Sequence, residues 1–120
     1  MKKLVTRRWG YYKVLSEGPG YVVKELVIYP NCGISYQKHS KRVEFWNVQK
    51  GQAKVRFAPA YAPESYNMRV LGAGASFTVK KQEWHQVWNE LREDLVILEF
   101  QVGECSEEDI ERREFFPNRR

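Results

Sequence analysis

Cysteine is scarce in this chain: Cys32 and Cys105 are the only two in 120 residues. There is no CxxC pair and no even set of four or six, so neither a disulfide framework nor a cysteine-built zinc module is on offer. Both cysteines read as thiols of a reducing compartment. No run of about 18 apolar residues occurs, which excludes a membrane-spanning helix. The basic start, Met1 to Arg8, contains only Leu4-Val5 as its apolar part, too short for the core of a secretion signal. Repeats, low-complexity tracts and linkers are missing as well. What is present is 42% hydrophobic and 29% charged residues, an ordinary globular balance that argues against disorder. The expectation is a single domain over residues 1–120, cytoplasmic and with no membrane partner.

The formal charge is +5, from 20 Lys and Arg against 15 Asp and Glu. With 14% aromatics this invites a nucleic-acid reading. The distribution argues against one. Basic residues alternate with acidic ones through strand-like segments, as in Lys38 to Glu44 and Glu90 to Glu99, and concentrate only at the two ends. Solvated ends are the simple explanation. Attraction of a small anion such as a sugar phosphate is the functional one.

Alternating or β-branched and aromatic runs recur at Tyr11–Leu15, Tyr21–Ile28, Gly33–His39, Val43–Val48, Ala53–Phe57, Tyr66–Leu71, Ser76–Val79, His85–Trp88 and Leu95–Val102. Gly, Pro and Asn punctuate them. Many short strands at regular spacing predict an all-β sandwich or barrel. At the end, Ser106-Glu107-Glu108-Asp109 resembles a helix N-cap with acids in its first turn, and Pro117 would stop such a helix. A short C-terminal helix or turn is therefore expected.

Histidine is as rare as cysteine: His39 and His85 only. Either alone reads most simply as a satisfied strand residue. With Gln37 and Glu44 they make a nitrogen and oxygen donor set suited to Zn, Mn, Fe, Co or Ni. Gln37, His39 and Lys41 share one face of a strand, and Glu44 and Trp46 share another parity. A turn or bulge must lie between Lys41 and Glu44 if both sets face one interior.

The segment Gln37-Lys38-His39-Ser40-Lys41-Arg42-Val43-Glu44-Phe45-Trp46, followed by Gly51-Gln52-Ala53, resembles the first cupin motif. More narrowly it resembles the cupin domain of type II mannose-6-phosphate isomerases, whose motif runs Q-x-H-x-H-R-x-E-x-W. Gly74 to Val79 with Trp84-His85 resembles the second motif. Arg8-Trp9-Gly10-Tyr11 and the tail Glu108-Asp109-Ile110-x-Arg112 with Arg119 extend the likeness over nearly the whole chain. The guanylyltransferase portion often fused to such cupins is absent from these 120 residues.

The resemblance implies a cupin jelly roll, or double-stranded β-helix, of six to eight strands around an interior site. It implies a divalent metal on His39, Glu44 and His85, with Gln37 as a fourth ligand by analogy with the Q-x-H pair of type I isomerases. It implies interconversion of mannose 6-phosphate and fructose 6-phosphate. Lys41, Glu44 if unligated, or metal-bound hydroxide would be the proton-transfer group, and Arg42, Lys24, Arg112 and Arg119 would hold the sugar phosphate.

Two departures stand out. Lys41 replaces the second histidine of the motif, and an ammonium does not ligate a metal. Lys80-Lys81-Gln82 replaces the usual P-x-G turn before His85. The alternative is thus a non-catalytic cupin that binds a carbohydrate or small anion, with Lys41 paired to Glu44. A homodimer is expected by analogy, with Trp9-Gly10-Tyr11-Tyr12 as a candidate interface strand. The insert Ala58–Pro63 reads as a hairpin loop near the barrel mouth.

Overall fold

A computed structural model describes residues 3–118. Eleven strands run in chain order: β1 (Lys3–Arg7), β2 (Gly10–Gly18), β3 (Tyr21–Ile28), β4 (Tyr36–Lys38), β5 (Arg42–Lys50), β6 (Gln52–Ala58), β7 (Asn67–Gly72), β8 (Ser76–Val79), β9 (Trp84–Trp88), β10 (Leu95–Gly103) and β11 (Glu111–Glu114). They form a six-stranded sheet, β1-β2-β3-β10-β5-β8, and a five-stranded sheet, β11-β4-β9-β6-β7. Every strand pairing is antiparallel. This is the all-β architecture expected from the alternation, in the jelly-roll form that the resemblance implied. No described helix is long and apolar enough to cross a membrane.

Alternation builds the interior. On β5, Arg42, Glu44, Trp46 and Val48 are buried while Phe45 and Gln49 are exposed. On β10, Leu95, Ile97, Glu99 and Gln101 are buried in the same rhythm. Ile28, Val48, Ala53, Val55, Val87, Leu95 and Ile97 make the centre of the apolar core. Facing side chains of the two sheets therefore bury together, and the polar members of the same inward rows are brought into that interior.

Glycine is obligatory at the start of β2. Gly10 opens β2 at φ 151°, and a Cβ there would lie 1.9 Å from the Val27 carbonyl oxygen. Only glycine allows that close approach of the two strands.

Two sequence expectations need correction. Residues 111–114 are not helical. Ser106 does cap a turn, its carbonyl accepting from the Asp109 amide at 3.1 Å and its hydroxyl from the Glu108 amide at 3.1 Å. The chain then extends, and β11 pairs with β4 through Glu111↔Lys38 and Arg112↔Gln37. A helix this short is marginal on its own, so the sheet ladder wins. The strand expected over Gly33–His39 shortens to β4, with Gly33 in an isolated bridge to Trp88. Tyr12 is buried in the core and Trp9 packs against it. Arg119 lies outside the described residues.

The P-x-G turn is lost in sequence but a tight turn is kept. Gln82 takes the left-handed conformation, φ 66°, and its amide donates to the His39 carbonyl at 2.8 Å. The Glu83 amide closes the turn on the Lys80 carbonyl at 3.2 Å. This brings the loop before β9 against the end of β4.

Candidate metal centre

β4 and β9 bring the two histidines together: Gln37 pairs with His85 across the ladder, and the imidazole centroids of His39 and His85 lie 5.2 Å apart. His39 Nδ1 donates to the Asp109 carbonyl at 2.7 Å, and His85 Nδ1 donates to the Glu83 carbonyl at 3.0 Å. Those two bonds set the tautomer, so each Nε2 carries its lone pair inward. Glu44, delivered by β5, meets both: Oε2 is 3.4 Å from His39 Nε2 and Oε1 is 3.9 Å from His85 Nε2. The three donor atoms lie within 4.8 Å of one another, and all three residues are buried.

Burial pushes both imidazoles down to about 4, with His85 and Arg42 adding to the effect on His39. Both are therefore neutral at pH 7, the form that ligates. His85 Nε2 has no hydrogen-bond partner. A buried acceptor without a donor costs on the order of 1–3 kcal/mol. Gln37 lies beside His39, its amide nitrogen 3.3 Å from Nε2 and its oxygen accepting from the Ser35 hydroxyl at 2.7 Å. A half-turn of the amide would present oxygen instead.

Arg42 is the surprise. It is buried, not an exposed turn residue. Nε and an Nη each lie 2.9 Å from Glu44 Oε2, and the same Nη lies 3.1 Å from His39 Nε2. Lys41 does not reach the site: 58% exposed, it pairs with Glu104 at 3.6 Å. The expected Lys41–Glu44 pair, and a proton-transfer role for Lys41 at this site, are corrected by that placement. The cause is the bend at Ser40–Lys41, whose amides both donate to the Asp109 carboxylate, at 3.2 and 2.8 Å. The bend ends one residue earlier than parity suggested, so Arg42 joins the inward row with Glu44.

Residues 1–115 match the family described as mannose-6-phosphate isomerase C-terminal. The chain belongs to that family. A mannose-1-phosphate guanylyltransferase of Escherichia coli strain K12 is 31% identical over 105 residues, covering 88% of this chain and 20% of the relative. A second, from Salmonella typhimurium, is 30% identical over 109 residues, covering 91% and 21%. The chain thus spans about a fifth of the length of these curated relatives. Among solved structures, the capsular polysaccharide assembling protein CapF of Staphylococcus aureus superposes with a TM-score of 0.85 at 13% identity, over 95% of this chain and 33% of that one. An oxalate decarboxylase of Bacillus subtilis gives 0.77 at 16%, over 92% and 30%. These two likenesses establish the fold alone.

In this member of the isomerase C-terminal family, a cavity of about 300 Å³ opens beside the donor set. Gln37, His39, Arg42 and Glu44 line it, as do Lys24 and Arg112. Lys24 lies buried 4.3 Å over the Tyr12 ring and 3.7 Å from Glu107. Arg112 donates to the Ser35 hydroxyl at 3.2 Å. None of the Ala58–Pro63 loop lines this cavity, so that loop is not at its mouth. It packs over Tyr36 and Trp84, whose polar atoms donate to the Pro63 and Ala60 carbonyls.

Sequence reading missed Glu99 and Glu107, which line the same cavity. Burial, then the nearby Glu44 charge, push Glu99 up to about 7. Trp46 Nε1 sits between the two carboxylates, 3.1 Å from each, and Gln101 donates to Glu99 at 2.7 Å. The signal was available: Ile97-x-Glu99-x-Gln101 places a carboxylate and an amide on the inward row of an apolar strand. Burial acts upward on Glu107 too, but Lys24 and Arg42 outweigh it and hold its carboxyl below the usual range.

The donor set fits a divalent ion of the zinc-to-manganese group. Its chemistry is two neutral imidazoles and a carboxylate, and the orphaned His85 Nε2 is an acceptor in need of a cation. His39, Glu44 and His85 would hold the ion.

Proposed function

We propose that this domain interconverts an aldose phosphate and a ketose phosphate, mannose 6-phosphate and fructose 6-phosphate, with a divalent cation on His39, Glu44 and His85. The observation that carries this reading is the convergence of two imidazole lone pairs and a carboxylate beside a cavity lined by Lys24, Arg42 and Arg112. Family membership supports the substrate class. When bound, such an ion supplies Lewis-acid polarisation of the sugar carbonyl. Lys24 and Arg112 hold the phosphate as charged donors. Glu44 would be a ligand of the ion, and Glu107 pairs with Lys24. Glu99 is held by the neutral donors of Trp46 and Gln101, and it takes the C2 proton of the aldose and returns it to C1 while the hydroxyl proton passes from O2 to O1.

The test is formation of fructose 6-phosphate from mannose 6-phosphate by protein loaded in turn with Mn, Co, Zn, Ni and Fe. Glu99→Gln is expected to lower kcat by about 100-fold or more with little change in KM. Loaded wild type that turns over no faster than Glu99→Gln would overturn this reading. The buried Arg42–Glu44 pair favours one other reading, a metal-free binder of sugar phosphates. Its signature is mannose 6-phosphate retained in equilibrium dialysis with no turnover under any metal.

We also propose a homodimer, formed through the outer face of the six-stranded sheet. Tyr21, Phe45, Phe100 and Val102 are exposed there on adjacent strands, in register as Phe100↔Phe45 and Val102↔Tyr21. Phe100→Lys is expected to halve the mass seen by sedimentation equilibrium; an unchanged mass sinks this interface.

A further inference from the structure

Arg42 occupies two of the three groups that a metal would need. Its guanidinium contacts Glu44 Oε2 at 2.9 Å and His39 Nε2 at 3.1 Å, with 4% of the side chain exposed. A guanidinium keeps its charge at any working pH, so deprotonation does not make room for a second cation. Two cations do not share one carboxylate oxygen and one imidazole lone pair. Metal entry therefore requires Arg42 to leave.

A place to go is already marked out. The other Nη points away from the donor set, 3.5 Å from the Ser106 carbonyl and 3.9 Å from Glu107 Oε2. Glu107 is an ionised, 59% exposed carboxylate on the cavity wall. His85 Nε2, the one donor Arg42 leaves unsatisfied, marks where the exchange begins.

We propose that Arg42 is a displaceable counter-ion of the donor set. A divalent cation exchanges it out of His39 and Glu44, and the freed guanidinium turns toward Ser106 and Glu107, where it becomes an anion ligand of the cavity. The proposal rests on the metal reading above. Without metal, Arg42 keeps the buried Glu44 carboxylate paired, which an empty set would leave as an uncompensated charge. With metal, a phosphate-binding group appears. Metal and anion then reinforce each other, and by linkage each tightens the other equally.

Zinc affinity of the whole chain, read by competition with a chelating dye, tests the exchange. Arg42→Gln is expected to bind zinc at least about tenfold more tightly than wild type, because no cation has to be displaced. His85→Ala defines which zinc belongs to the site. Sulfate at constant ionic strength is expected to tighten zinc in wild type and to lose that effect in Arg42→Gln. A second readout needs only the wild-type fold. The Arg42 Nε–H resonance in a ¹H–¹⁵N spectrum, assigned by its loss in Arg42→Lys, is expected to move to a solvent-exchanging position on one equivalent of zinc. This resonance decides the matter if Arg42→Gln fails to fold. Zinc that binds through His85 while the resonance stays put overturns this inference and spares the metal reading. Equal sulfate coupling in both proteins overturns the anion half. No zinc in any of the proteins overturns both.

Discussion

His85→Ala is expected to carry no divalent metal when wild type, purified without chelator or nickel resin, carries about one per chain. His85 is fully buried, and its Nδ1 bond to the Glu83 carbonyl aims Nε2 at Glu44. It is the only member of the set that Arg42 leaves unengaged. Removing it leaves His39 and Glu44, both already held by the guanidinium, and two such donors do not retain a metal through purification. Truncation also opens space beside Trp46, whose ring packs edge-on to His85 at 5.8 Å. A buried large-to-small change costs a few kcal/mol, so a near-ultraviolet spectrum must accompany the elemental analysis. A folded variant with wild-type metal content would place the ion elsewhere. Wild type that stays empty after soaking would remove the metal reading altogether.

Much of this centre could be read from the chain, and the misses have one physical origin. Strand parity put His39 with Gln37 and Glu44 with Trp46, and both pairs hold in the structure. Parity does not say where a bend between two strands falls. That was decided by Asp109, 68 residues beyond Lys41, whose carboxylate caps the Ser40 and Lys41 amides. The same long-range contact orients His39 through the Asp109 carbonyl. One residue of difference in the bend turned Lys41 out and Arg42 in, which changes the chemistry of the site from an ammonium at its rim to a guanidinium at its centre. Of the helix or turn expected at the tail only the turn forms, for a related reason. Ser106 does cap a turn, but whether the chain then coils or extends depends on the free edge of β4, which local propensity does not encode. Glu99 needed no long-range knowledge; its inward parity on β10 was already in the alternation.

Acidification of the metal-stripped protein should expose how these buried groups oppose one another. His39 and His85 are held at about 4, below the ordinary 6.5, so the unfolded chain takes up their protons first. Stability from the neutral imidazoles is full above pH 6.5 and drains as pH falls toward 4. Between pH 6.5 and pH 5 each imidazole gives up about 2 kcal/mol. Glu99 acts in the other direction. Held at about 7 against an ordinary 4.5, it gains its proton in the folded state first, so its contribution grows as pH falls from 7 to 4.5. Arg42 disfavours protonation of both imidazoles, whereas Glu99 and the carbonyls of Asp109 and Glu83 favour it. Wild type should therefore lose only about 2 kcal/mol from pH 7 to pH 5, because Glu99 offsets about one of the two histidines. Glu99→Gln removes the offset, and its urea unfolding free energy should fall by about 4 kcal/mol over the same window. Zinc should flatten that fall, since a ligated imidazole resists the proton. A Glu99→Gln curve that stays flat from pH 7 to pH 5 would mean that the imidazoles are not held neutral by burial. The geometry that makes them ligands would then lose its electrostatic basis.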